Sequence, residues 1–233
     1  MRRHTFAVLA LAALTFAPRL ATAQGEMEKS RAVAGGGVLV KGWMGKVDAK
    51  EAAAGLTIDN AKLASEGPNM RVTTGPASVY WSATNTAKGD YTVTATFNEP
   101  AYMSINSHPH PYGVVIGGND MGTDQQSYLY CAAYGNGNFI VRGFGPAAFQ
   151  MNGRGGADPA VNKAEAVGKP VTQVIALSVN GDKVECAING KVVASYPKAD
   201  VLGAGKLKSL DGVYGIRFAH NTDAIVSGLK LSK

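Results

Sequence analysis

Several stretches of the chain alternate apolar and polar residues with a period of two. Over residues 90–99, DYTVTATFNE, the side chains of Tyr91, Val93, Ala95 and Phe97 share one face, and threonines occupy the other. Because successive side chains of a strand point to opposite faces, this pattern predicts a half-buried β-strand. The same alternation recurs in QSYLYCAAY (126–134), VIALSV (174–179) and KVECAING (183–190).

Asn-Gly pairs lie between the alternating runs at residues 136–137, 180–181 and 189–190. Asn-Gly readily adopts the positive φ angles that tight hairpin turns require. Residues 171–196 are therefore predicted to form a three-stranded meander. The pattern predicts further strands near residues 69–74, 77–82, 112–117, 138–142, 213–219 and 224–231.

About a dozen short strands without a long helical period predict an all-β fold, a two-sheet antiparallel β-sandwich. Only residues 158–168 and 198–202 have the composition of short helices. The sequence shows no internal repeat and no second domain. We therefore expect residues 38–233 to form a single sandwich domain, a size that all-β domains commonly reach.

The first 23 residues have the organisation of a secretory signal peptide. Basic residues Arg2 and Arg3 precede an apolar run, and small residues at Ala21 and Ala23 follow it. We expect cleavage after Ala23 and a secreted or periplasmic product with no membrane insertion, because no later segment is long and apolar enough for a membrane helix. Residues 24–37, charged and then rich in glycine, are predicted to be a flexible leader.

The charge of the chain argues against nucleic-acid binding. Removal of Arg2, Arg3 and Arg19 with the signal peptide lowers the formal net charge from +6 to +3. The remaining lysines and arginines form no cluster of the kind that phosphate binding needs.

Two cysteines, Cys131 and Cys186, both fall on the apolar face of a predicted strand. An oxidising compartment would allow them to form a disulfide. Two buried thiols that act as small apolar residues are the alternative. The sequence leaves both open, since it does not give the Cα separation that a disulfide requires.

Seven segments carry a family pattern: GWMGKVDA, NMRVTTGPASVYW, GDYTVTATF, HPYGVVIGG, QSYLYCAAYGNGNFIVR, VECAINGKVV and GVYGIRFAHN. Their order resembles exported bacterial jelly rolls of the concanavalin A-like, or laminin-G-like, class, nearest to the 3-keto-disaccharide hydrolase domain family. The resemblance implies a two-sheet sandwich with a concave face suited to saccharides. Where larger hydrolase-type members carry an Asn-Ser-Gly segment, this chain reads HPYGVVIGGND, so the resemblance does not carry hydrolase activity across.

The sequence contains no clear catalytic machinery. Glycosidases use two carboxylates that flank the scissile bond, and related glucanases present them two residues apart on one strand. Only Glu26 and Glu28 have that spacing, and they lie in the leader. No nucleophile elbow, phosphate loop or zinc-type cysteine cluster is present.

Histidines 108 and 110 are a candidate half of a metal site. Pro109 and Pro111 interleave with them, which favours a loop entering the strand at Tyr112. The other histidine beyond the signal peptide is His220. If the loop folds over that strand end, His108, His110 and His220 would converge on a zinc-like ion; otherwise they are ordinary loop residues, and no cofactor is expected.

A row of tyrosines gives the sequence its best candidate ligand surface. Tyr128, Tyr130 and Tyr134 share one strand face, and Arg142 follows on the partner strand of the same hairpin. Aromatic rings beside a cation suit a carbohydrate partner, to which Trp81 and Arg217 would add from neighbouring strands. Alternatively, the tyrosines reflect strand preference and a loop covers them.

The leading functional hypothesis is an exported saccharide-binding module that has no catalytic role. A glycoside hydrolase acting on 3-keto or ordinary disaccharides is the first alternative. A structural or partner-binding envelope protein is the second.

Overall fold

The computed structural model describes residues 28–233. It contains sixteen strands, two one-turn helices and a 3₁₀ turn at Ile58–Asn60. The helices are α1 (Ala49–Ala53) and α2 (Lys198–Val201). The strands are β1 (Gly37–Val38), β2 (Trp43–Val47), β3 (Lys62–Glu66), β4 (Asn69–Thr73), β5 (Ser78–Ala87), β6 (Tyr91–Glu99), β7 (Tyr112–Asn119), β8 (Ser127–Ala133), β9 (Asn138–Phe144), β10 (Ala148–Gln150), β11 (Gly156–Ala157), β12 (Val171–Asn180), β13 (Lys183–Ile188), β14 (Lys191–Pro197), β15 (Gly212–Phe218) and β16 (Asp223–Ser232).

The strands form two sheets that pack face to face. Sheet I has the order β1-β3-β4-β16-β6-β12-β13-β14, and sheet II the order β10-β9-β8-β7-β15-β5-β2 with β11 paired to β9. All pairs are antiparallel except β1 with β3. The predicted all-β, two-sheet antiparallel sandwich is confirmed, and so is the three-stranded meander, now β12, β13 and β14.

The main core lies between the sheets. The alternation read from the sequence places Val93, Ala95 and Phe97 of β6 in it, and Leu129 and Cys131 of β8 face them from sheet II. All five side chains are excluded from solvent. Burial of such apolar surface is the main favourable contribution to folding, about 25 cal/mol per Å² removed from water.

The two cysteines form a disulfide. Cys131 on β8 and Cys186 on β13 have their Cα atoms 6.0 Å apart, a separation typical of such bonds. The disulfide therefore joins sheet I to sheet II through the middle of the core.

The helix predicted over residues 158–168 is absent from the structure. Its Asp158 instead accepts hydrogen bonds from the backbone amides of Ala160 and Val161 in a turn. The following residues pair with the β8–β9 hairpin, through a bridge between Asn136 and Lys163. The segment is too short to gain much from helix formation, and pairing with a sheet edge satisfies its backbone groups. The short helix predicted at 198–202 is confirmed as α2.

The predicted signal peptide and its cleavage after Ala23 lie outside the described residues. Within the predicted leader, residues 28–31 are held against the sandwich, which differs from the flexible segment expected from their composition. The side-chain amide of Asn221 accepts from the Arg31 amide at 3.0 Å and donates to the Lys29 carbonyl at 3.1 Å. These contacts are made largely by the backbone, so they leave no periodic signal in the sequence. Within residues 28–233, no helix is both long and apolar enough to span a bilayer.

A second apolar cluster lies on the outer face of sheet II. Its buried members, drawn from β5, β7, β8 and β9, are Val79, Trp81, Val115, Tyr128, Tyr130, Ala132 and Ile140. Residues from loops and strand ends, including Met121 and Phe144, pack onto it. This outer face is therefore covered in part, and the uncovered part forms a cavity.

Candidate functional site

A cavity of about 610 Å³ lies between the outer face of sheet II and the covering formed by α1 and the N-terminal segment. Its size falls within the range of 300–1,000 Å³ typical of small-molecule sites. The charged and polar lining residues are Glu28, Lys29, Ser30, Asp48, Lys50, Glu51, Arg142, Arg217, His110 and His220, and Tyr130 and Tyr134 line it as well. The cavity thus brings together residues of the predicted ligand surface and of the predicted metal site.

One wall of the cavity combines two tyrosines and two arginines. Tyr130 on β8 lies directly opposite Arg142 on β9, and Tyr134 is the first residue after β8. The Arg217 guanidinium, from β15, lies 5.8 Å from the centre of the Tyr130 ring. Strand pairing therefore positions three of these four side chains, so the wall is built on a rigid sheet.

Arg217 is a buried cation with a dedicated counter-ion. Its guanidinium donates to the Asp48 carboxylate, which precedes α1, and to the Phe218 carbonyl at 2.9 Å. Burial alone would lower the pKa of Arg217, but the Asp48 carboxylate raises it above its ordinary value. Arg217 is therefore charged at all relevant pH values, and its charge is neutralised within the wall.

Arg142 has a different environment. Its guanidinium lies 5.6 Å from the Phe144 ring, and its Nε is buried without a hydrogen-bond partner. Among residues 28–233, no carboxylate lies within ion-pair distance of it. A buried donor without a partner is costly, so Arg142 is suited to bind an acceptor that enters the cavity.

The expectation of an exposed tyrosine row is wrong for part of the row. Tyr128 has no exposed surface, and its ring packs 5.1 Å from that of Phe144. Trp81 is also buried, under the loop that contains Gly122. Neither residue lines the cavity. Alternation predicted the shared face correctly, but it carries no information about the loops that cover that face.

Tyr130 and Tyr134 differ in how they meet the cavity. Tyr130 is 5% exposed and belongs to the buried cluster, whereas Tyr134 is half-buried at its edge. Burial raises the pKa of both phenols, to about 12 for Tyr134. Both are therefore neutral hydrogen-bonding groups at physiological pH.

The three histidines come together at the other end of the cavity. The Nε2 atom of His110 lies 2.8 Å from that of His108 and 3.1 Å from that of His220. Glu28 joins them, with its Oε2 atom 3.5 Å from the His110 Nε2. One potential ligand atom from each of the four residues lies within 4.8 Å of all the others.

Two histidines of this cluster, His110 and His220, have a lowered pKa, which favours the neutral form. Burial, with a smaller effect from the neighbouring His220 and His108 rings, lowers the pKa of His110 to about 4. Burial also lowers the pKa of His220. Neutral imidazoles with free ring nitrogens are the form that binds metal ions.

Three carboxylates of this site, Glu28, Asp48 and Glu51, are not predicted from the sequence. For two of them the sequence does indicate the local structure, since Asp48 and Glu51 have the spacing of a helix N-cap and its N3 residue. In the structure neither side chain caps α1. Asp48 binds Arg217, and Glu51 accepts from the Ala77 amide at 2.9 Å and the Ser30 hydroxyl at 3.0 Å.

No model of a known protein family matches this sequence, and neither does any curated protein. Several solved structures share its fold. The carbohydrate-binding module CBM66 from Bacillus subtilis aligns with a TM-score of 0.50 at 10% identity, over 84% of this chain and 99% of that chain. The chain has a concanavalin A-like fold.

Two further structures agree with this fold. A Bacillus subtilis protein of unknown function with a galectin-like fold has a TM-score of 0.54 at 14% identity, over 82% of this chain and 89% of that chain. An endo-beta-1,3-glucanase from Pyrococcus furiosus has a TM-score of 0.50 at 12% identity, over 81% of this chain and 87% of that chain. Identities this low establish the fold alone. The jelly-roll sandwich implied by the sequence resemblance is thus confirmed, whereas the closer resemblance to the 3-keto-disaccharide hydrolase domain family stays a prediction.

Proposed function

We propose that this protein is an exported saccharide-binding module whose ligand occupies the cavity on the outer face of sheet II. The observation that carries the proposal is the wall in which Tyr130 and Tyr134 lie beside Arg142, whose buried Nε has no hydrogen-bond partner. Aromatic surface and a small number of fixed polar groups are what saccharide rings bind to.

The fold supports this proposal. Solved structures with the same fold include a carbohydrate-binding module and an endo-beta-1,3-glucanase. The cavity volume also suits a ligand of one or two sugar rings. Since a shared fold does not assign a function, the proposal depends on the residues of the wall.

The charges of the cavity favour a saccharide that carries an acidic group. Four cationic side chains and three carboxylates line it. Asp48 is engaged with Arg217, which leaves Arg142 as a cation without a carboxylate partner in residues 28–233. A carboxylate or sulfate on the sugar would satisfy the buried Nε of Arg142 through a charge-assisted hydrogen bond.

An array of neutral and acidic glycans, including 3-keto sugars, tests the proposal. After a ligand is found, Arg142→Met should weaken its binding by about 10- to 100-fold, because a hydrogen bond to a charged group contributes about 1.5–3 kcal/mol. Arg154→Met is the matched control, since Arg154 is exposed in a loop and does not line the cavity. Titration calorimetry measures both. Equal affinities of the Arg142 variant and the wild type would place the ligand elsewhere.

The tyrosines need separate treatment in this experiment. Tyr134→Ala should weaken binding with a small loss of stability, because that side chain is half-buried. Tyr130→Ala removes a ring that is 5% exposed and should cost about 3–5 kcal/mol of folding stability. Tyr134→Ala is therefore the informative variant for the ligand, and urea unfolding distinguishes the two effects.

A hydrolase acting on 3-keto or ordinary disaccharides is the second candidate. It is favoured by one observation, that three carboxylates, Glu28, Asp48 and Glu51, line the cavity. All three already accept hydrogen bonds from protein groups, which ties them to structural roles. Mass spectrometry of the bound glycan after long incubation decides between binding and hydrolysis.

A further inference from the structure

We propose that Glu28, His108, His110 and His220 bind one divalent transition-metal ion of the zinc class at the end of the cavity. The inference stands on residues outside the tyrosine and arginine wall, so it does not depend on the saccharide proposal. It adds Glu28, a residue of the N-terminal segment, to the three histidines.

The separations of the ligand atoms fit one ion. A tetrahedral site with metal–ligand bonds of about 2.0–2.1 Å places its ligand atoms about 3.3 Å apart. The observed separations are 2.8 Å and 3.1 Å between histidine Nε2 atoms and 3.5 Å between Glu28 Oε2 and the His110 Nε2. The three separations measured from the His110 Nε2 atom are thus close to this value, and one ligand atom from each of the four residues lies within 4.8 Å of the others.

The hydrogen-bond inventory of the cluster is incomplete without a cation. The His110 Nε2 atom contacts two other imidazole nitrogens, yet a neutral ring nitrogen carries at most one proton to share. Glu28 Oε2 is buried and has no hydrogen-bond partner. Converging lone pairs and an unsatisfied buried carboxylate oxygen are both stabilised by one bound cation.

Neighbouring groups orient the proposed ligands. The Ser107 hydroxyl lies 3.3 Å from the His108 Nδ1, which leaves the Nε2 of that ring for the ion. The Ser107 backbone amide donates to Glu28 Oε1 at 2.9 Å and so turns Oε2 toward the histidines. The Glu51 carboxylate lies 3.8 Å from the His220 Nδ1. Such outer contacts fix ring orientation at metal sites.

The chemistry of the ligands selects the class of metal. Three imidazoles and one carboxylate suit zinc, cobalt, nickel or copper, whereas calcium and magnesium prefer sites made of oxygen. Glu28, His110 and His220 line the cavity and His108 does not. The ion would therefore form part of the end wall, within reach of a molecule in the cavity.

Metal titration of the full chain without a polyhistidine tag tests the inference. After treatment with a chelator, the protein should bind one Zn²⁺ per chain by titration calorimetry, and Co²⁺ should produce the visible absorption of a four-coordinate site. Ca²⁺ and Mg²⁺ should not compete. Binding is measured without any saccharide, so failure of this inference and failure of the proposed function are distinguishable.

Variants assign the ligands. His108→Ala should lower the affinity for Zn²⁺ by more than about 100-fold, since loss of an outer-shell partner alone costs 10- to 100-fold. The His108 side chain is 55% exposed, so this variant should fold normally, which a circular dichroism spectrum checks. Glu28→Gln should also weaken binding, and Glu185→Gln on the opposite sheet is its matched control.

Three results would overturn the inference. The first is the absence of stoichiometric Zn²⁺ binding by a folded wild-type chain. The second is a His108→Ala variant with unchanged affinity. The third is equal affinity of the Glu28→Gln variant and the wild type, which would remove Glu28 from the ligand set.

Discussion

Glu99, at the end of β6, is a carboxylate that folding removes from water. The residue is 4% exposed; its Oε1 accepts one hydrogen bond, from the Met103 amide at 3.2 Å, and its Oε2 has no partner. Burial raises the pKa of this carboxyl to about 7. Glu99 is therefore protonated in the folded chain at pH values where the unfolded chain carries its charge.

This shift predicts a pH dependence of stability. Because the folded pKa is raised above the unfolded value, the contribution of Glu99 is fully present below about pH 4.5 and is lost as the pH rises through about 7. The loss should reach about 3 kcal/mol, since one pKa unit corresponds to 1.36 kcal/mol. Urea unfolding at several pH values measures it.

The Glu99→Gln variant isolates that contribution. His110, whose folded pKa is lowered, contributes the opposite slope, because its stabilisation is lost as the pH falls below about 6.5. The difference between the wild type and Glu99→Gln removes the histidine effect, and the exposed acid Asp90 offers a control in Asp90→Asn. A constant difference between pH 4.5 and 7.5 would contradict the prediction.

The strands illustrate what a sequence encodes at the scale of an element. Alternation predicted β6, β8, β12 and β13 because each strand buries one face, and that periodicity is local. The strand β2 and the helix α1 were missed. They are short, and α1 has no buried residue, so neither produces a hydrophobic pattern.

The disulfide between β8 and β13 should be a large contributor to stability. It closes a loop with a sequence separation of 55 residues, for which loop-closure entropy predicts about 4 kcal/mol. The Cys131→Ala/Cys186→Ala variant should lose that amount in urea unfolding at neutral pH. Wild type unfolded in the presence of a reductant should match the variant, and agreement of the variant with oxidised wild type would contradict the prediction.

The N-terminal segment, residues 28–31, lies in close contact with the backbone at Gly75. A Cβ atom on Gly75 would lie 1.8 Å from the Arg31 carbonyl oxygen, so only glycine allows residues 28–31 to lie where they do. Contacts of this kind involve backbone atoms from distant parts of the chain. Composition alone therefore predicts a flexible leader and does not place Glu28 near the histidines.

At the scale of the whole molecule, the fold brings together residues that the sequence keeps far apart. The histidine cluster joins residues 28, 108, 110 and 220, and the cavity wall joins residues from β8, β9 and β15. The sequence contains the types of these residues but not their distances. Fold class and strand faces could therefore be predicted, whereas the convergence of the tyrosines and histidines on one cavity could not.

Export is the prediction that concerns the chain as a whole. If the signal peptide is cleaved after Ala23, the mature protein begins at Gln24 and keeps Glu28, four residues further on. Mass spectrometry of the protein recovered from the periplasm or the medium of an expressing bacterium checks this start. A product found only in the cytosol, with residues 1–23 intact, would contradict it.

The disulfide between the two sheets also determines how the molecule responds to force. If the chain is pulled from its two ends, the residues between Cys131 and Cys186 cannot extend. When the fold unfolds under force, the extended length of the oxidised chain is therefore shorter than that of the reduced chain by about 190 Å, at roughly 3.5 Å per residue for 55 residues. The strands β9 and β12 lie inside this closed segment. Tension applied to the ends is therefore carried through the covalent bond at the centre of the sandwich. It does not pass through β9, the strand that supplies Arg142 to the cavity wall.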